Sequence, residues 1–237
     1  MRIGMVHQPH FLPWPGYLAR CLAVDVFIAL DNVKFNRNHY QQRTKFIDRN
    51  AKLRWLSLPI DGATRSGLIS DVKIAFDFAI RKWQRPVVES YRDAPSFDQT
   101  WRGVTEVISA YHPNFCDVSL ELIKWVLCNM CDSLSRPKAE VVRASKIEVS
   151  NDRTGRLVDI CRDQEITHLV MGDYALGSHD IDLLIDSGIS LVSQKYVGPE
   201  QSYPAPGVMG LHYIFRNGSE RTAMDLASHW TFEQIAN

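Results

Sequence analysis

Apolar positions along the chain fall into short continuous runs at both ends and into longer periodic segments between them. "RIGMV" (2–6) and "VDVFIAL" (24–30) are short, apolar and rich in β-branched residues, which predicts buried strands. "GYLARCLA" between them suits a short helix, so the opening outlines a strand–helix–strand unit. "LRWLSLPI" (53–60) predicts a third strand, followed by loop and strand material over 61–78. From 79 to 134 the apolar spacing changes to three and four. "AIRKWQRPVVESYRD", "SFDQTWRGVTEVISAY" and "CDVSLELIKWVLCNMCDSL" predict helices, with Pro86 expected to kink or split the first. Short runs then return as "AEVVRAS" (139–145), "THLVMG" (167–172) and "ISLVSQKY" (189–196). Helical segments "NDRTGRLVDICRDQE" and "HDIDLLIDSG" separate them, the second ending at Gly188 as a left-handed cap. The tail is rich in Pro and Gly and then helical. This alternation predicts a single α/β domain over 1–237, a parallel sheet with flanking helices that carries a helical insertion at 79–137.

Composition narrows the partners. Lys+Arg and Asp+Glu both count 27, so the formal net charge is zero, which argues against generic adhesion to nucleic acid or anionic membrane but leaves room for a local basic groove. No apolar run reaches the roughly 18–20 residues of a membrane span. The start "MRIGMVHQP" lacks the apolar core of a secretion signal. Cysteines at 21, 116, 128, 131 and 161 are odd in number and scattered, which fits a reducing cytoplasm better than a disulfide framework. Cys128 and Cys131 resemble half a zinc knuckle without its partner pair, and packing within an apolar helix is the simpler reading.

In a parallel sheet, ligands bind beyond the carboxyl ends of the strands. That directs attention to the loops after residues 6, 30 and 172. The first, "HQPHFLPWPGY", sets His7, Gln8, His10, Trp14 and Tyr17 among three prolines. A stiff packing corner would explain the prolines. It would not ask for two imidazoles and a carboxamide at a strand end, whereas a ligand with phosphates or hydroxyls would. The second, "DNVKFNRNHYQQRTKF", places Asp31 and Asn32 at the end of a strand. It then interleaves Lys34, Arg37, Arg43 and Lys45 with His39, Tyr40, Gln41 and Gln42. Either this loop is merely solvated, or it suits an anionic planar ligand such as a nucleotide or sugar nucleotide, or an RNA strand. In the third, "MGDYALGSHD", Gly172 permits close backbone approach and Asp173 and Tyr174 face the same region. Ser178 or His179 could cap the helix that follows, whose N-terminus would seat an anion.

The expected catalytic set is His7, His10 and Asp31, with one imidazole as general base and Asp31 or Asp173 orienting an imidazole, a ribose or a sugar hydroxyl. The expected binding set is Gln8, Trp14, Tyr17, Asn32, Tyr40, Gln41, Gln42, Arg43, Lys45, Gly172, Asp173 and Tyr174, with Arg43 and Lys45 holding phosphate or carboxylate. No metal is assigned, although His7, His10 and Asp31 would make a three-ligand set if their loops converge. There is no Walker loop, no GxGxxG fingerprint and no nucleophile elbow.

At these residues the chain resembles the WbqC-like protein family. The resemblance is carried by "HQPHFLPWPGYL", by "AVDVFIALDNVKFNRNHYQQRTKF" and by "RLVDICRDQEITHLVMGDYALGSHDIDLLIDSGISLVSQKY", and it extends over nearly the whole chain. The chain departs from the common pattern at Tyr40-Gln41-Gln42-Arg43, where Trp-Gln-Asn-Arg is more usual. Membership implies a part in assembling lipopolysaccharide O-antigen or related surface glycans. The layout around "PGYL" is also similar to the entry motif of nucleotidyltransferases and class I aminoacyl-tRNA synthetases. Their paired catalytic histidines are replaced here by Trp14 and Tyr17. The leading expectation is an enzyme of surface-glycan or related natural-product assembly that transfers an acyl or aminoacyl group to an amino sugar or similar amine, using a small-molecule substrate such as a nucleotide-linked sugar. The alternatives are nucleotidyl transfer with a nucleoside triphosphate and Mg²⁺, and a non-catalytic partner that binds a sugar nucleotide or RNA.

Overall fold

A computed structural model describes residues 1–111, 113–134, 137–199 and 207–236, together with their side chains except at 76–82, 133, 173, 174 and 236. Six strands form the main sheet: β1 (Ile3–His7), β2 (Val26–Ala29), β5 (Glu140–Arg143), β6 (His168–Met171), β7 (Ser190–Tyr196) and β8 (Trp230–Ala236). Their spatial order is β5-β2-β1-β6-β7-β8, with all neighbours parallel except the β7–β8 edge pair. Counted within the sheet this is the order 3-2-1-4-5-6 of doubly wound sheets, whose topological switch point lies between β1 and β6.

Side chains alternate cleanly across the sheet, as a strand period of two requires. Met5, Phe27, Ala29, Val170 and Val192 belong to one buried cluster, and Val26, Ile28, Leu169, Met171 and Leu191 to another. The first cluster is covered by α1 (Pro15–Ala23), α3 (Phe97–Tyr111), α4 (Phe115–Leu134) and α8 (Leu211–His229). The second is covered by α5 (Arg153–Asp163), the short α6 (Asp173–Leu176) and α7 (Ile181–Asp186). Both faces being covered is why the strands read as continuous apolar runs. Helix α1 starts with Pro15 at its first position, where a missing N–H costs nothing. Helix α5 is capped by Asp152, which accepts from the Gly155 N–H, and Gly188 ends α7 at φ 80°.

Four expectations need correction. "LRWLSLPI" does form a strand, β4 (Leu53–Ser57), but it pairs only with β3 (Arg43–Ile47) in a separate antiparallel hairpin. Residues 43–47, expected as loop, are that partner strand, with Thr44 and Phe46 turned inward. Helix α2 (Phe76–Tyr91) continues through Pro86 and is not split by it. The C-terminal residues 230–236, where no strand is expected, add the antiparallel edge strand. No helix of the described residues is long and apolar enough to cross a membrane.

Candidate functional site

The register between β1 and β6 covers only Ile3–His168 and Gly4–Leu169, and β1 continues from there against β2 alone. The sheet therefore parts at its switch point, and a cleft opens there. It has two contiguous parts, of about 690 Å³ and 480 Å³, which share Val6, His7, Gln8, Trp14, Leu30 and Arg153. The larger runs over the ends of β6 to Gly172 and the start of α5, and the smaller extends to His10, His39, Tyr40 and Gly207.

His7 ends β1, and its Nδ1 lies 2.9 Å from the Gln8 carbonyl. Burial, reinforced by the Arg20 charge, lowers its pKa to about 4. His10 is 5% exposed and lines the smaller part, yet neither ring nitrogen has a hydrogen-bond partner. Burial, then the His7, His39 and Arg20 charges, drives its pKa well below the ordinary value. Both imidazoles are thus neutral at physiological pH. Their rings meet edge to face at 4.7 Å, and Tyr17 supports both from behind, at 4.8 Å from His7 and stacked at 5.3 Å on His10. Tyr17 is fully buried and donates its hydroxyl to the Gln8 carbonyl at 3.1 Å. It supports the loop and is not among the residues lining either part of the cleft.

Gln41 is also a scaffold residue. Fully buried, it donates from Nε2 to Gln8 Oε1 at 2.7 Å and accepts from the Asn36 N–H at 2.7 Å. Its backbone carbonyl accepts from the Phe11 N–H, so it ties the first loop to the second. Tyr40 stacks at 6.1 Å on His10 and closes the smaller part of the cleft. Trp14 lines both parts and braces on Trp230.

Other expected residues lie elsewhere. Asp31 is 0% exposed, and its carboxylate accepts from Arg143 Nε at 2.6 Å and from the Ser145 N–H and hydroxyl at 2.8 Å each. These bonds tie the end of β2 to β5 and the turn after it, so the carboxylate expected to orient an imidazole is engaged by Arg143 and Ser145 instead. Among the described residues no group of three His, Cys, Asp or Glu is placed to hold a metal ion, so His7, His10 and Asp31 do not converge. Asn32 donates to the Ala144 carbonyl at 3.2 Å, and Gln42 contributes its backbone carbonyl to the Leu58 N–H. Arg43 lies 4.0 Å over the Trp55 ring and Lys45 5.3 Å from it, on the hairpin, and neither is among the residues lining the cleft. Gly172 lines the larger part. The side chains of Asp173 and Tyr174 fall outside the described residues.

The cations that do line the cleft are Arg20 from α1 and Arg153 and Arg156 from α5, with His179 beside them. Sequence reasoning missed all three arginines. The signal was present for Arg20, a charged residue in a helix whose every other position is apolar, small or aromatic. No Asp or Glu occurs among the described lining residues, so the cleft is electropositive in a chain of zero net charge. An apolar floor, neutral imidazoles and guanidiniums suit an anionic organic ligand carrying a group that must lose a proton.

The comparisons agree with the motifs. The family model described as the WbqC-like protein family matches residues 8–214. An uncharacterized protein of Mycobacterium tuberculosis is 22% identical over 227 residues, covering 93% of this chain and 96% of its own length. No solved structure matches the chain.

Proposed function

The chain belongs to the WbqC-like protein family, and on that premise we propose that it is a biosynthetic enzyme of surface-glycan assembly. It transfers an acyl or aminoacyl group to the amine of an amino sugar held in the cleft. The observation that carries this reading is His10, a neutral imidazole facing a cleft with both nitrogens unpartnered. In the transfer, the amine nitrogen bonds to the acyl carbon, and the bond from that carbon to its leaving group breaks. The nitrogen's extra proton passes to an imidazole nitrogen of His10 and then to the leaving group. His7, edge-on to His10 at 4.7 Å, limits its rotation. Burial is the main cause of the low basicity of both imidazoles, and an anion bound near Arg20 offsets the smaller part that the Arg20 charge adds.

The nucleotidyl-transfer alternative asks for oxygen donors to Mg²⁺. The described lining side chains supply imidazole, guanidinium and carboxamide groups and no carboxylate, so a resident Mg²⁺ does not fit them. The test is incubation of the purified chain with nucleotide-linked amino sugars and a panel of acyl and aminoacyl donors, read by mass spectrometry. An N-acylated sugar formed by wild type and reduced about a hundredfold or more by His10→Ala supports the reading. Equal turnover by the variant overturns it.

A further inference from the structure

The larger part of the cleft brings together basic side chains from three separate stretches of chain. Arg20 enters from α1, Arg153 and Arg156 from the first turn of α5, and His179 from just before α7. Arg20 is 7% exposed, and its Nε and Nη2 both donate to Gln194 Oε1, at 3.0 and 2.7 Å. Gln194 is in turn anchored by its Nε2 on the Gly16 carbonyl at 2.7 Å. This bracing holds the guanidinium at the cleft wall instead of letting it reach outward to water. Gly172 leaves room for it, since a Cβ there would lie 3.0 Å from Arg20 Nη2. Arg156 Nε and His179 Nδ1 are buried without a hydrogen-bond partner. Unpaired buried nitrogens beside a cavity mark a place that a ligand completes. The neighbouring carboxylate, Asp152, is committed to capping α5 through the Gly155 N–H at 2.6 Å.

We propose that this basic compartment seats a diphosphate bridge of the substrate, with the reacting end extending into the compartment of His10 and Tyr40. The inference rests on the transferase reading above and adds the ligand class. A carboxylate or a single phosphate engages one planar fork well. A diphosphate diester carries two separated negative charges and matches guanidiniums contributed by both α1 and α5. The two compartments share His7, Gln8 and Arg153, so a ligand seated in one is continuous with the other. Nucleotide-linked sugars and coenzyme A thioesters share this bridge.

Isothermal titration of the full chain with inorganic pyrophosphate, inorganic phosphate and uridine tests the claim, followed by a UDP-linked sugar and coenzyme A to identify the source of the bridge. Pyrophosphate is expected to bind at least about tenfold more tightly than phosphate, and uridine alone without detectable heat. Arg153→Ala and Arg156→Ala are each expected to weaken pyrophosphate about tenfold. Lys52→Ala, at an exposed position just before β4, leaves it unchanged. Arg153 is exposed, so its variant tests the claim even if Arg156→Ala folds poorly. Pyrophosphate that fails to bind wild type, or that binds both arginine variants as well as wild type, overturns the inference. If the arginines govern pyrophosphate binding while no sugar amine is acylated, the transferase reading falls and the diphosphate seat stands. If acylation proceeds and the arginines are irrelevant to pyrophosphate, the seat falls alone.

Discussion

Replacing Asp31 by Asn exchanges one carboxylate oxygen for an amide nitrogen at almost constant volume, and it separates a structural from a chemical role for this residue. In the wild type, Oδ2 accepts from Arg143 Nε and the Ser145 hydroxyl, while Oδ1 accepts from the Ser145 N–H. Every one of these partners is a donor, so an amide nitrogen in either position faces at least one donor and the buried charge balance is lost. Breaking a buried pair by removing one partner costs about 3–5 kcal/mol. Arg143 is 25% exposed and keeps a second carboxylate, Asp117 at 2.6 Å, which places Asp31→Asn at the low end, about 3 kcal/mol. For a chain of this size that lowers Tm by roughly 6–12 °C. Urea denaturation followed by circular dichroism gives the free-energy difference. Pyrophosphate titration well below the melting range is expected to give wild-type affinity. A variant of wild-type stability that has lost ligand binding or turnover would refute this reasoning and return Asp31 to the chemistry.

Acid sensitivity should report the buried imidazoles. His7 and His212 have folded-state pKa values lowered from 6.5 to about 4, and His10 is lowered as well, so the unfolded chain binds more protons between pH 6.5 and 4. Stability is fully present above pH 6.5 and falls as pH drops towards 4, by about 2 kcal/mol for each of His7 and His212 between pH 7 and 5. Denaturant melts across that range should lose slope when His212→Gln removes one contributor, and an unchanged slope contradicts the assignment. Gln41→Ala leaves Gln8 Oε1 and the Asn36 N–H unpaired and is expected to cost about 2–3 kcal/mol in chemical denaturation. Gly172→Ala presses a methyl group onto Arg20 Nη2, so it should weaken pyrophosphate binding several-fold in calorimetry with Tm little changed.

The sheet was legible because its strands are buried on both faces and read as short apolar runs between helical periods. The position of the cleft followed from strand ends, and His7, Gln8, His10, Trp14, Tyr40 and Gly172 do line it. What could not be read was which polar side chains turn inward. Arg43 and Lys45 looked like the anion grip because they crowd one loop, but that loop becomes a hairpin whose register directs them to Trp55. Arg20, Arg153 and Arg156 come together only through the parallel crossovers that bring α1 and α5 to the switch point, contacts separated by more than a hundred residues. Asp31 and Gln41 were recognised as unusual but given ligand roles. These two side chains are fully buried, and their hydrogen bonds to Ser145, Arg143, Gln8 and Asn36 depend on tertiary pairing that periodicity does not encode. The edge strand β8 was missed because it has no apolar run of its own.

The central claim, a neutral His10 serving an acyl transfer to a sugar amine, is tested most directly in the source organism. The gene is deleted and complemented with wild type or His10→Ala at matched protein levels, and the acylation of amino sugars in the surface glycan is measured by mass spectrometry. The expected result is an amine left unacylated in the deletion strain, restored by wild type and not by His10→Ala. Full restoration by the His10→Ala chain, or a glycan unchanged by the deletion, would contradict the account.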